Sequence, residues 1–267
     1  MSEKEPLKLM AILAHPDDES LGLGGILARY GAEGIATHLV TATRGQRGWA
    51  GDPAANPGPE RLAEIRAEEL QAAATILNLH EVILLDYSDG ELDRAEPEEI
   101  TKVLVGHLRR VRPQVVVTFD PFGSYGHPDH IAISQFAMAA TVAAAAPGGQ
   151  GQPHTVSKLY YFIEPEEEIA HYQSIFGELV MEIDDQERRA TGWPRWAVTT
   201  IVDTEAYWPQ IWQAISAHQS QLADYGRLQG LAPAEHARLW RRQRFYRAYS
   251  LVNGGRAVED DLFAGLS

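Results

Sequence analysis

The sequence predicts an α/β fold: a Rossmann-like, mostly parallel sheet with helices on both faces, followed by further C-terminal strands and helices. Three observations carry this. Short apolar or β-branched runs alternate with long runs of helical composition through the first 146 residues. Two of the apolar runs end in polar clusters, as strands do when their carboxyl ends carry function. The length, 267 residues, suits one large α/β unit, so 1–267 reads as a single domain.

Leu7–Ala14 reads as the first strand, Leu21–Tyr30 has helical spacing, and Ala36–Thr43 returns to a strand, which makes a β-α-β unit. Pro59–Leu79, rich in Ala, Glu, Leu and Arg, reads as a long helix, and Val82–Tyr87 as a strand. Pro97–Val111 is an amphipathic helix, Val115–Asp120 a β-branched strand and Ile131–Ala146 a helix. Right-handed crossovers place these helices on both faces. Residues 147–153, PGGQGQP, form a surface loop by composition. Lys158–Glu164, Leu179–Ile183 and Val198–Asp203 read as strands that extend or flank the same sheet. Pro209–Ser220 and Pro233–Tyr249 read as the last two helices.

Composition narrows the function. Acidic residues outnumber basic ones 37 to 23, a formal net charge of −14, which argues against a nucleic-acid partner. The absence of cysteine excludes disulfides, iron–sulfur clusters, thiolate zinc sites and a cysteine nucleophile, so any metal must use His, Asp or Glu. The N-terminal residues lack the order of a signal peptide, and the longest apolar stretch, Phe136–Ala146, is short of the ~20 residues that span a bilayer. The expectation is a cytoplasmic protein with no membrane partner.

Two His-Pro-Asp clusters stand at equivalent strand ends: Ala14-His15-Pro16-Asp17-Asp18-Glu19 and Tyr125-Gly126-His127-Pro128-Asp129-His130. Ligands of open α/β sheets bind outside the carboxyl ends of the strands, so clusters distant in sequence can converge there. Together they supply imidazoles and a carboxylate for a divalent cation, and a further carboxylate to take a proton from water. The competing structural reading is that Asp17, Asp18 or Asp129 only caps a helix. The glycines at 22, 24 and 25 fail the dinucleotide fingerprint, because Leu27 stands where its last glycine belongs, and they read as close helix packing.

In these motifs the sequence resembles the LmbE-like, or PIG-L-like, N-acetylglucosaminyl deacetylases, which include the mycothiol and bacillithiol pathway deacetylases and diacetylchitobiose deacetylase. AHPDDE at 14–19 and HPDH at 127–130 carry the resemblance most strongly. Thr43–Gly48, Asp89-Gly90 and His218-Gln219-Ser220-Gln221 add to it. The resemblance implies that His15, Asp18 and His130 hold Zn2+, that Asp17 is the general base, and that His127 faces the reacting carbonyl as acid or electrostatic stabiliser. Fe2+, cobalt and manganese also suit such ligands. The implied reaction removes the acetyl group from an N-acetylglucosamine-type sugar or glycoconjugate, and the implied assembly is a homo-oligomer. Two rival readings are an amidase for a different amide and a non-catalytic metal-containing binding module.

Around this core, Tyr125 offers a hydroxyl to the same carbonyl oxygen, and Asp129 is expected to orient or charge His127. The long loop after the second strand reads as a lid, with Arg44 and Arg47 holding substrate groups and Trp49 stacking on a sugar ring. Asp89 is expected to orient a ligand or a metal-bound histidine. His218 has a supporting role only through the resemblance. The run Leu239–Arg247 reads as an amphipathic helix at an interface or lining the sugar site.

Overall fold

The computed structural model describes residues 6–178, 180–183 and 185–266. Its elements are β1 (Lys8–Leu13), α1 (Asp18–Ala32), β2 (Ala36–Thr43), α2 (Pro59–Ile76), β3 (Glu81–Tyr87), α3 (Pro97–Val111) and β4 (Val115–Thr118). There follow α4, a distorted turn at Gly123–Gly126, then α5 (Pro128–Ala144), β5 (Lys158–Phe162), α6 (Glu166–Phe176), β6 (Val180–Ile183) and β7 (Gln186–Arg189). The chain closes with β8 (Thr200–Asp203), α7 (Trp208–Ala217), α8 (Gly226–Gln229), α9 (Pro233–Leu239) and β9 (Arg242–Ser250).

Seven strands form one sheet in the order β3-β2-β1-β4-β5-β9-β8. The first five are parallel, and β9 pairs antiparallel with both β5 and β8. β1 lies at the centre, in register with β2 (Lys8↔Ala36) and with β4 (Leu9↔Val115). That explains its composition: a strand covered on both faces is apolar throughout, and Leu9–Leu13 are fully buried. From β1 the chain winds outward through β2 to β3, then crosses back to β4 on the other side. With right-handed crossovers this reversal puts α1 and α2 on one face and α3 and α5 on the other. The crevice between the carboxyl ends of β1 and β4 is therefore a topological switch point, the place where open α/β sheets bind ligands.

The expected helices and strands of residues 7–146 are present with small shifts at their ends. Close packing explains the α1 glycines: a Cβ on Gly25 would lie 2.7 Å from Thr204. The C-terminal third differs from the sequence reading in three ways. The expected helix Pro233–Tyr249 stops at Leu239, and Arg242–Ser250 is strand β9. Its early residues alternate, Gln243 and Phe245 buried and Arg242 and Arg244 more exposed, and the open edge of β5 supplies a template that outweighs local helix propensity. Leu179–Ile183 does not join the main sheet. Val180–Ile183 pairs with β7 in a separate two-stranded ribbon, and Leu179 lies outside the described residues. Finally, helix α6 follows Pro165 with three glutamates in its first turn, a start signal the sequence reading passed over. Among the described residues, no helix is long and apolar enough to cross a membrane.

Candidate metal-dependent active site

β1 ends at Leu13 and delivers the first cluster to the crevice. Asp18 opens α1, and its Oδ2 accepts the backbone N–H groups of His15 (2.7 Å) and Ala14 (3.2 Å), which fixes its carboxylate. The residue before it, Asp17, is left-handed at φ 103°. A side chain at positive φ outside glycine costs about 1–3 kcal/mol and survives only where the surroundings over-determine it. Here they do. The Asp17 N–H donates to Glu19 Oε2 (3.0 Å), and Glu19 is held by His218 Nε2 at 2.8 Å in a pair with no solvent exposure. The Asp17 carboxylate accepts from the Tyr225 hydroxyl (2.9 Å) and faces Arg66 Nη2 (3.2 Å). Arg66 also donates to the carbonyls of Pro16 and Gly45.

The second cluster enters from beyond β4. His127 is the N-cap of α5, and its Nδ1 accepts the N–H of Asp129 (3.2 Å). That bond leaves the ring proton on Nε2. His130, one turn into α5, is stacked on Phe119 with ring centroids 3.8 Å apart and on His127 at 4.6 Å. Its Nε2 lies 3.2 Å from His15 Nδ1 and 3.4 Å from Asp18 Oδ1, while His15 Nδ1 is 3.7 Å from Asp18 Oδ2. The ligand atoms of His15, Asp18 and His130 all fall within 4.8 Å of one another. His15, His127 and Asp129 form a second close grouping. In it, however, the Asp129 carboxylate is already taken by the N–H groups of Gly90 (2.7 Å) and Leu92 (3.0 Å).

The electrostatics fit a cation at the first trio. Burial pulls the His15 pKa down, but hydrogen bonds to Asp129 and Asp89 and the charge of Asp18 carry it up to about 10. Burial raises Asp18 to about 7 against the pull of His15. Carboxylates crowded around an imidazole in this way favour positive charge among them, and the trio can bind a divalent ion. Burial, and after it the charge of His15, lower His127 to about 4, so its imidazole is neutral near pH 7. Burial, with Asp18 and Asp17 adding to it, raises the Tyr125 phenol, which keeps its proton.

The structure reassigns three residues. Asp129 touches His127 only through its backbone, and its carboxylate instead meets His15 Nε2 at 3.1 Å. Asp89 Oδ1 faces the same nitrogen at 3.2 Å while Oδ2 accepts the Arg47 N–H, so two carboxylates fix the tautomer that presents Nδ1 to the trio. Buried but bonded to His15 and to the Arg47 backbone, Asp89 is held down at about 2. Trp49 turns back on its own loop, donating to the Asp52 carbonyl (2.9 Å), and Arg44 pairs with the exposed Asp86. Neither reaches the cavity.

That cavity encloses about 970 Å³ and is walled near the trio by Asp17, Arg47, Arg66, Asp89, Tyr125 and His127. The rest of its wall comes from β5 onward, with Phe162, Tyr172, Val180, Met181, Trp240 and Arg244. The sequence reading missed Arg66, Tyr225 and Glu19 as partners of Asp17. Arg66 sits mid-helix with nothing local to distinguish it, whereas Glu19 lay inside the strongest motif.

Two buried imidazoles and a carboxylate at a switch point, with a second carboxylate beside them in an open cavity, define the class: a metal-binding hydrolase on an α/β sheet. Residues 10–141 match the family described as GlcNAc-PI de-N-acetylase, PIG-L. The chain is 32% identical to a 1D-myo-inositol 2-acetamido-2-deoxy-alpha-D-glucopyranoside deacetylase of Kineococcus radiotolerans, over 98% of its own length and 84% of the relative's. It is 35% identical to the enzyme of that name from Thermobifida fusca, over 82% of this chain and 85% of the other. A crystal structure of a conserved protein from Thermus thermophilus superposes with a TM-score of 0.64 at 27% identity, covering 93% of this chain and 97% of that one. The chain belongs to the PIG-L family of deacetylases, and is thus an enzyme that hydrolyses an amide.

Proposed function

We propose that the protein is a zinc-dependent N-deacetylase acting on an N-acetylglucosaminyl conjugate of the inositol-linked kind that its relatives' names describe. The observation that carries this reading is Asp17, a carboxylate outside the trio that the backbone is strained to turn toward the cavity. A module holding metal for structure alone has no use for such a group. His15, Asp18 and His130 would hold the ion, and two nitrogens with one carboxylate suit Zn2+. When bound, it supplies Lewis acidity to the amide carbonyl and lowers the pKa of water toward ~7.

The chain's own residues do the rest. Asp17 takes a proton from the attacking water and gives it to the amide nitrogen as the carbon–nitrogen bond breaks, so that the amine leaves neutral. Tyr225 and Arg66 fix which lone pair it offers. His127 Nε2–H and the Tyr125 hydroxyl donate to the carbonyl oxygen as negative charge develops on it. The neutral state of both groups near pH 7 suits donation without competing for the water's proton.

The test is acetate release from N-acetylglucosaminyl-inositol and from free N-acetylglucosamine by zinc-loaded protein. Release that stops on chelation and returns with zinc is the expected result. Release that survives complete metal removal overturns the metal-dependent reading.

A further inference from the structure

The segment that carries Tyr125 and His127 is held by residues remote from the strand ends that build the site. Gly123, Ser124 and Gly126 all have positive φ, at 63°, 64° and 87°. A chain this contorted does not hold its shape alone, and two braces reach it from residues 180–193. The Asp120 carboxylate accepts the Ser124 N–H on one oxygen (3.0 Å) and the Trp193 indole N–H on the other (2.5 Å). Arg188 of β7 donates through Nη1 to the Gly126 carbonyl (2.9 Å), which belongs to the glycine between Tyr125 and His127. Its stem lies so close that a Cβ on Gly126 would be 2.8 Å from Arg188 Cβ and Cδ.

The same ribbon faces substrate. Val180 and Met181 of β6 line the cavity, and Met181 is the register partner of Arg188. As register partners Met181 and Arg188 share one face of the ribbon, so the face that lines the cavity through Met181 also holds, through Arg188, the backbone between the two carbonyl-facing side chains. We propose that Arg188 is a positioning residue for Tyr125 and His127, and that the β6–β7 ribbon couples occupancy of the cavity along β6 to their placement. Binding energy from a remote substrate group then appears in turnover, because displacing a reacting group by ~1 Å costs on the order of 100-fold.

The coupling rests on the proposed deacetylation; the brace does not. Arg188→Met keeps the stem on Gly126 and removes the donor, Arg188→Lys restores a donor, and Gln186→Ala on the same strand is the control. Hydrogen–deuterium exchange of the peptide spanning 123–127 should quicken about tenfold in Arg188→Met, return toward wild type in Arg188→Lys and stay unchanged in Gln186→Ala. Unchanged exchange in Arg188→Met overturns the brace whatever the enzyme's activity. For the coupling, kcat of Arg188→Met should fall on both substrates, because Tyr125 and His127 face either carbonyl, and should fall about tenfold further on N-acetylglucosaminyl-inositol than on free N-acetylglucosamine, with KM moving less than kcat. An equal fall on both substrates overturns the coupling. Absence of acetate release by wild-type protein from either substrate overturns the proposed function and with it the coupling, while the exchange result still decides the brace.

Discussion

The two His-Pro-Asp clusters are spelled alike, yet they do opposite work because the following helix starts at different points. In the first, α1 begins two residues after Pro16, so Asp17 falls just outside it at positive φ and its carboxylate is turned into the cavity. In the second, α5 begins at Pro128 itself, so Asp129 lies within the first turn, fully buried, with its carboxylate folded against Gly90, Leu92 and His15. A two-residue shift of helix start separates a carboxylate that lines the cavity, held by Tyr225 and Arg66, from one tied to backbone N–H groups and to His15. The histidines divide the same way: His15 precedes its helix and belongs to the trio, whereas the trio's other histidine is His130, inside the helix, and His127 caps it.

Exchanging each aspartate for asparagine would break the comparison most sharply. Asp17→Asn should lower kcat by about 10²–10⁴-fold while leaving bound zinc stoichiometric, since it removes the proton acceptor and no ligand; metal analysis beside acetate release checks both halves. Asp129→Asn should instead weaken zinc binding about 10- to 100-fold in a chelator competition, because it loosens His15. If that variant bound zinc normally and only shifted the acid limb of activity, the pairing with His127 expected from sequence would be right after all.

The support of the first cluster can be tested by pH. Burial opposes the charge on His218, but Glu19 at 2.8 Å outweighs it and raises the histidine's pKa above its usual value. A raised folded pKa means that the stability His218 contributes is fully present below about pH 6.5 and is lost as pH rises through the folded value. Wild-type Tm should therefore decline as pH rises above neutrality. His218→Gln should be less stable by roughly 3–5 kcal/mol at pH 6, the cost of leaving a buried charge unpaired, and its Tm should lose most of that decline. The smallest effects belong to the loop read as a lid: Trp49→Ala and Arg44→Ala should change KM less than twofold in steady-state assays, since neither side chain reaches the cavity.

Much of the fold was legible in the sequence because local rules and tertiary demands agree there. A strand buried on both faces is apolar and a crossover helix buries one face, and β1 and α3 show these two patterns most plainly. The convergence of the two clusters followed from where strands end in such a sheet. Legibility failed at β9, where aromatic and arginine residues accept either helix or strand and the open edge of β5 made the choice. It failed again at Arg66 and Tyr225, which reach Asp17 from 49 and 208 positions further along the chain.

By itself, then, the sequence determined the parallel sheet, the switch-point location of the site and the residue types able to hold a divalent ion, because each depends on local period or on side-chain chemistry. Only the tertiary structure decided which aspartate outside the trio lines the cavity, which nitrogen of His15 faces the trio, and which segments wall the cavity. Those depend on where a helix starts and on which distant carboxylate reaches first, matters of a few ångströms that no spacing in one dimension encodes.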